Sequence, residues 1–491
     1  MRRIVRRTPR QTGSVLRGLA GLALLAVAAC STLTQPGGLS QSSGPQLSQA
    51  PMSAAHQREH ERILQAYGGA YEDAKLQAHL VQTVDRLVAA SERPDLKYHV
   101  TILNSPAINA FALPTGHLYV TRGLVALAND TSELASVLAH EMAHVIARHA
   151  AFREDHARQA ALVNRVATDL LSDPQLGALA LAKSKIALAS FSRAQEFEAD
   201  GIGVGISGRA GFDPYGAQRF LSSMGLHSNL RARTANIDPR APDFLSSHPA
   251  TPDRISNAQA NARQFSGPGG GDRRKPEYLA SLDGVVFGED PSEGFVRGRR
   301  FLHPKLGFTF TAPEGFTLDN TAQAVFGVKE GGAQALRLDV ARLDPSQTLT
   351  NYLVSGWIEN IDVRSVSELT INSLPVATAT AQGDSWSFRL YVVSFGNDVY
   401  RLIYAAKNRT DAVDKVFRDS IGTFRHMTPA ETAAAKPHRL KVVTVGPNDT
   451  VERLARRMAI HDRQVERFRV LNGLAANDKL RPGDQVKIVA E

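Results

Sequence analysis

Apolar residues along this chain change their spacing several times, and each change predicts a different kind of structure. From residue 54 they recur every three to four positions, as in "LVQTVDRLVAA" (80–90), the period of a helix with one buried face. Residues 97–128 alternate instead, with turn signals at Ser105-Pro106 and around Gly116, which predicts two or three strands. "NDTSELASVLAHEMAHVIARHAAF" (129–152) returns to the helical period. Its stripe is Leu134, Val137, Leu138, Val145 and Ile146, and Asp130 with Glu133 reads as a capping box. Helices are predicted onward to about residue 205. Residues 280–427 alternate again in β-branched runs such as "ALRLDVARL" (335–343), with helical stretches at 346–357 and 411–424. That mixture predicts an α+β domain with an antiparallel sheet. Residues 439–489 read as strand, helix, helix, strand.

Length and composition divide this pattern. At 491 residues, 43% hydrophobic and 21% charged, the chain is globular in character and too long for one core. Gly/Pro-rich and polar stretches predict linkers at 264–279 and 428–438. The predicted divisions are therefore 54–263, 280–427 and 439–489. The fold class is multidomain: a mainly α-helical first domain with a small sheet, an α+β domain, and a small βααβ module. The formal charge of +9 is concentrated at the start, where the first 29 residues hold six arginines and no acid. Nothing in the remainder points to nucleic acid.

That start reads as an export signal over residues 1–29: a basic stretch, then the short apolar run "GLAGLALLAVAA" (18–29), too short to span a bilayer. "VAAC" follows, and its Cys30 is the only cysteine. This resembles the lipobox of bacterial lipoproteins. The resemblance implies lipidation at Cys30 and a membrane anchor, and Ser31 after it implies the outer membrane. Residues 30–53, rich in Ser, Gln, Gly and Pro, predict a flexible tether.

The chemistry concentrates in "HEMAHVIARH" (140–149). His140 and His144 lie four apart, so on a helix they share a face and can hold one zinc ion. Glu141 projects beside them and can serve as general base. His149 lies nine residues past His140. A continuous helix would point it about 180° away, which sets it aside as a ligand. A third histidine in the metzincin spacing is also missing, since Ala147 and Ala150 stand where Gly and His would be needed. The third ligand must come from elsewhere. In "FSRAQEFEADGIGVG" (191–205), Glu196 and Asp200 share a helical face, and Glu198 points away. Glu196 can complete the ligand set, and Asp200 can accept a hydrogen bond from a ligand imidazole. Two histidines and one glutamate leave a fourth position open for water, as hydrolytic zinc sites require.

"NAFALPTGHLYVTRGL", "HEMAHVIARH", "SRAQEFEAD" and "SSHPATPDRI" stand in an order that resembles HtpX- and BepA-type zinc metallopeptidases, relatives of the CAAX prenyl protease. The resemblance covers about residues 54–262. It implies a gluzincin metallopeptidase with one Zn2+ per chain, held by His140, His144 and Glu196, with Glu141 as catalytic base. It further implies that Asn109, Ala110, Phe111 and Ala112 form an edge strand able to hold an extended peptide. His248 resembles a histidine that sits on the zinc of some relatives as a reversible plug, and Arg254 is placed to stabilise an oxyanion.

Toward the C-terminus, "VTVGPNDTVERLARRM", "VLNGL" and "LRPGDQVKIV" resemble a LysM module, with Asn448 where glycine is usual. Asparagine can take the positive φ that glycine would supply. The resemblance implies binding to N-acetylglucosamine glycans such as peptidoglycan. Residues 280–427 are similar in pattern to PsbP-like domains. They carry no catalytic constellation, and Trp357 and Trp386 read as core. Together these implications describe a lipid-anchored zinc endopeptidase of a Gram-negative periplasm, acting on unfolded or misassembled envelope proteins. A peptidoglycan-bound assembly factor or chaperone with restrained proteolysis is the alternative. An amidase acting on peptidoglycan itself fits the motif less well.

Overall fold

A computed structural model describes residues 54–151, 191–234 and 248–491, apart from positions 323, 345, 359 and 384. The predicted export signal, the tether and Cys30 lie outside the described residues. No helix among the described residues is long and apolar enough to cross a membrane.

The first domain begins with helices α1 (Ala54–Ala66) and α2 (Ala74–Ala90). Strands β1 (His99–Leu103), β2 (Ala110–Ala112) and β3 (His117–Thr121) then form a sheet in the order β1-β3-β2, with β1 and β3 parallel and β2 antiparallel at the edge. Two helices follow directly, α3 (Arg122–Leu127) and α4 (Thr131–Ile146). Helix α4 is buried on nearly every side from Thr131 to His144, so apolar periodicity understates how deeply it sits. Asp130 caps its start by accepting from Glu133 N. The reciprocal bond reaches one residue further back than a capping box requires, since Glu133 accepts from Asn129 N at 2.9 Å. Helices α5 (Arg193–Arg209) and α6 (Gly216–Thr234) pack on α4, and α7 (Pro252–Ala262) packs on α5 and α6.

The linker expected at 264–279 is in part ordered core. Lys275–Leu282 is helix α8, and its Tyr278, Leu279 and Leu282 are buried with Val285 among the side chains of α2 and α4. Pro276 in the first turn favours a helix start, although the neighbouring Gly/Pro run suggested a linker. Strand β4 (Val286–Phe287) then pairs with the C-terminal module instead of the α+β sheet. The linker expected at 428–438 likewise contains a helix, Pro429–Ala434, started by a capping box between Thr428 and Glu431, with Glu431 also paired to Arg300 and Arg425.

Between them lies the α+β domain. An antiparallel seven-stranded sheet runs in the spatial order Ile361–Ile371, Leu374–Gln382, Ser387–Phe395, Asp398–Ala406, Gln334–Arg342, Val325–Lys329 and Phe316–Asn320. A smaller four-stranded sheet lies in the same domain. One face of the large sheet buries Phe417 and Ile421 of the helix Asp411–Ile421 against Tyr404 and Phe308. Trp357 packs partly buried on the other core and donates Nε1–H to Tyr352 O at 3.0 Å, as expected of a core residue. Trp386 is also partly buried, with Lys407 over its ring.

The terminal module has strands His438–Thr444 and Gln485–Ala490 paired antiparallel, with two short helices between them. Asn448 is not in the left-handed region. The turn is held instead by Asp449, which accepts from Gly446 N, and by Thr450, which caps the following helix. This module does not hang free. Its Leu440, Leu454, Phe468 and Ile488 belong to the same apolar core as Leu124, Leu134 and Leu138 of the first domain. Burying each such side chain contributes roughly 1.5–3 kcal/mol.

Candidate metal centre

Helices α4 and α5 build the centre. They approach closely because Gly203 of α5 lies on the backbone of α4: a Cβ there would stand 3.0 Å from His140 N and 3.1 Å from His140 Cα. That contact puts Glu196 and Asp200, two and one turns earlier on α5, beside His140 and His144. Ser192 fixes the start of α5 through a capping box with Gln195.

His140, His144, Glu196 and His248 form a buried group whose four ligand atoms lie within 4.8 Å of one another. His140 Nε2 and His144 Nε2 are 3.0 Å apart, and each is 3.5 Å from a Glu196 oxygen. His248 Nδ1 is 2.8 Å from Glu196 Oε1 and 3.3 Å from His140 Nε2. A fourth position open to water was expected, yet a third imidazole faces it. Glu141 stands beside the group, with its Oε1 3.9 Å from His248 Nε2, buried and without a hydrogen-bond partner. Three imidazoles and a carboxylate turned toward one point suit a divalent cation of zinc's borderline character.

The surrounding charges are strongly coupled. Burial would lower the His140 pKa, but Asp200 and Glu196 outweigh it and push it up to about 9. His144 lacks such support; burial takes it down to about 3 against the pull of Glu196. Burial would raise Glu196, yet the three histidines hold it well below the usual carboxylate range. Burial raises Glu141, which suits a group that exchanges protons.

Asp200 lies where expected, its Oδ1 3.1 Å from His140 Nδ1. Arg254 does not lie where an oxyanion would need it. It is buried, donating Nε–H and Nη2–H to Asp200 at 2.8 and 2.7 Å, while Nη1 lies 2.7 Å from Glu196 Oε2. A guanidinium spent on two carboxylates orients a ligand and its partner rather than a substrate oxygen.

His149 stands outside the ligand group as expected, but the geometric reason differs. The helix ends at Ile146, and Arg148 takes a positive φ of 59°. The chain therefore turns back, and His149 Nδ1 lies 2.9 Å from His144 Nδ1. It is not a member of the four-residue group, but it buttresses one, and its Nε2 reaches Glu198 Oε2 at 3.2 Å. Glu198 was expected to point away from the site. Helical extrapolation past residue 146 hid both contacts. Phe191, stacked on His144 with ring centroids 3.9 Å apart, was also missed.

Of the expected edge strand, Ala110–Ala112 is β2, at the border of its sheet, with Phe111 stacked on Tyr119. Asn109 precedes it and donates Nδ2–H to Tyr67 Oη.

Comparison with known proteins agrees with this geometry. Residues 74–262 match the family described as Peptidase family M48, and residues 443–489 match the LysM domain. The chain carries an M48 metallopeptidase domain and a C-terminal LysM domain. Over 189 residues it is 34% identical to the Beta-barrel assembly-enhancing protease of Escherichia coli (strain K12), covering 37% of each chain. Over 178 residues it is 33% identical to the mitochondrial metalloendopeptidase OMA1 of Schizosaccharomyces pombe, covering 36% of this chain and 50% of that one. The chain thus spans well under two thirds of the length of these relatives. The solution structure of cyanobacterial PsbP from Synechocystis sp. PCC 6803 aligns over 28% of this chain and 98% of that one at 13% identity. Its TM-score is 0.22, which does not establish a shared fold.

Proposed function

We propose that this protein is a zinc-dependent endopeptidase of the bacterial envelope, anchored through lipidated Cys30 on the periplasmic side of the outer membrane. The observation that carries the reading is the convergence of His140, His144, Glu196 and His248 beside a buried Glu141. A zinc ion held there would supply a Lewis acid and lower the pKa of water. Glu141 Oε1 takes the proton of the attacking water and passes it to the leaving amine. Asp200 holds His140 through Nδ1, and Arg254 holds Glu196 in line. Strand β2 offers backbone groups at a sheet edge, which would hold an extended peptide irrespective of its sequence. Misfolded or misassembled envelope proteins are the substrate class this favours. The name of the Escherichia coli relative points to the assembly of β-barrels. Glu141→Gln is expected to keep bound zinc and to lose cleavage of an unfolded test protein by at least ~100-fold, on the scale of a lost general base. Unchanged cleavage by that variant would overturn the assignment.

A second reading, an assembly factor with restrained proteolysis, is favoured by one observation: His248 occupies the position a water would need. His248→Ala is then expected to raise proteolysis of the same test protein, and an unchanged rate would remove that reading. The LysM domain supports contact with peptidoglycan, which co-sedimentation of the full chain with purified sacculi tests.

A further inference from the structure

Strand β2 sends its backbone groups and its side chains in alternating directions, and the two alternations are offset by one residue. Thr121 N–H donates to Asn109 O at 2.9 Å, and Leu113 N–H donates to His117 O at 2.8 Å. Backbone groups alternate along an antiparallel ladder, so Asn109, Phe111 and Leu113 turn theirs to β3. Ala110 and Ala112 therefore turn their N–H and C=O groups outward. Among the described residues no strand pairs with that side.

Side chains alternate across the sheet. Ala110 and Ala112 face the core shared with α4, the helix that carries His140 and His144. Phe111 lies on the opposite face, half-buried. Its ring centroid is 4.9 Å from that of Tyr119, its register partner, and 5.9 Å from that of Tyr67. Tyr67 is also half-buried, and the Asn109 side chain fixes its ring by donating Nδ2–H to Oη at 2.7 Å.

An extended peptide added antiparallel along β2 would bond to Ala110 and Ala112. Its residues opposite those alanines would project toward α4 and the metal centre. The residue between them, opposite Phe111, would project onto the aromatic face in the closer, non-hydrogen-bonded kind of pair. The residue opposite Asn109 would project on that same face, beside Tyr67.

We propose that Phe111 and Tyr67 are specificity residues that select peptides with apolar side chains at the alternate positions opposite Asn109 and Phe111. The substrate class is then the amphipathic β-strand in extended, unfolded form, the pattern of strands in membrane β-barrels and half-buried sheets. A segment with helical apolar spacing would not present two neighbouring alternate side chains to the rings. The proposal rests on the reading of β2 as the peptide-holding edge of a zinc peptidase.

Binding of short fluorescein-labelled peptides to the full-length, zinc-loaded Glu141→Gln protein, followed by anisotropy, tests this without requiring cleavage. A peptide alternating leucine with serine is expected to bind about tenfold tighter than one of the same composition with its leucines at helical spacing. Phe111→Ala and Tyr67→Ala are each expected to lose most of that preference with zinc content unchanged, and Phe111→Trp to keep it. N-methylation of the serines, whose N–H groups would meet β2, is expected to weaken binding far more than N-methylation of the leucines. Equal binding of the two peptides, a preference unchanged in Phe111→Ala, or greater sensitivity at the leucines would overturn the proposal. Failure of the peptidase reading is seen separately, as wild-type protein that cleaves neither peptide nor the unfolded test protein while the binding preference persists.

Discussion

The residues nearest the metal centre differ in how they work, and His149 separates the roles. It touches no ligand point, yet its Nδ1 meets Nδ1 of His144, a ring whose pKa burial lowers. A partner there fixes which nitrogen His144 turns to the metal. His149→Ala is therefore expected to lower zinc affinity roughly 10–100-fold, the range usual for such supporting groups. Competition with a zinc-responsive chelating dye reads this directly, and an affinity within a factor of two of wild type would contradict the role. Glu198→Ala should matter less, because its side chain is 59% exposed. The pairings of His140 with His144 and of Glu196 with Asp200 were readable from helical spacing, because i,i+4 positions share a face wherever the helix is intact. His149 was not, because a positive φ at an arginine leaves no compositional mark. His248 lies 108 residues from His140, and no local period links them; only the resemblance pointed to it.

At the scale of elements, Gly203 of α5 lies directly on the backbone of α4 beside His140. Its neighbour Gly201 has open space: a methyl group there would stand 3.7 Å from its nearest neighbour, Asn261 Nδ2. The two glycines make a controlled pair on one helix. Gly201→Ala is expected to stabilise by roughly 0.5–1 kcal/mol, from helix propensity alone. Gly203→Ala carries the same propensity gain but must push α5 from the His140 backbone, and is expected to lose roughly 1–3 kcal/mol and to loosen zinc. Urea unfolding of both variants checks the sign, and equal effects would mean that the helices yield without cost. The helices and strands themselves were largely legible, since period and capping residues agree along most of the chain. The failures fell at 264–279 and 428–438, where Gly, Pro and charge dominate short windows. There, burial of Tyr278 and the ion pairs of Glu431 supply order that local composition does not reveal.

Over the whole molecule, the LysM domain is built into the peptidase core, and one buried cation fastens it. Lys487 Nζ donates to Ala126 O at 2.7 Å and Ala128 O at 2.6 Å, where α3 ends and exposes carbonyls. Arg122 holds the other end of α3 to Asn104 and Val286 O. The segment between α3 and the metal-bearing α4 is thus clamped by residues from distant parts of the chain. Burial pushes Lys487 down to about 7 and Glu133, at the start of α4, up to about 7. The two shifts act on stability with opposite pH signs. From about pH 4.5 to 7 the folded state keeps a proton on Glu133 that the unfolded chain has lost, so stability falls as pH rises. From about pH 7 to 10.5 the unfolded chain keeps a proton on lysine that the folded state has shed, so stability rises with pH, at up to about 1.4 kcal/mol per pH unit. The pair's cost is therefore greatest near neutral pH. A Glu133→Gln/Lys487→Met protein should compare most favourably with wild type near pH 7, and less so at pH 5 and pH 9.5. Urea unfolding of both proteins at the three values decides it; a difference that does not vary with pH would show that neither group changes its protonation on folding.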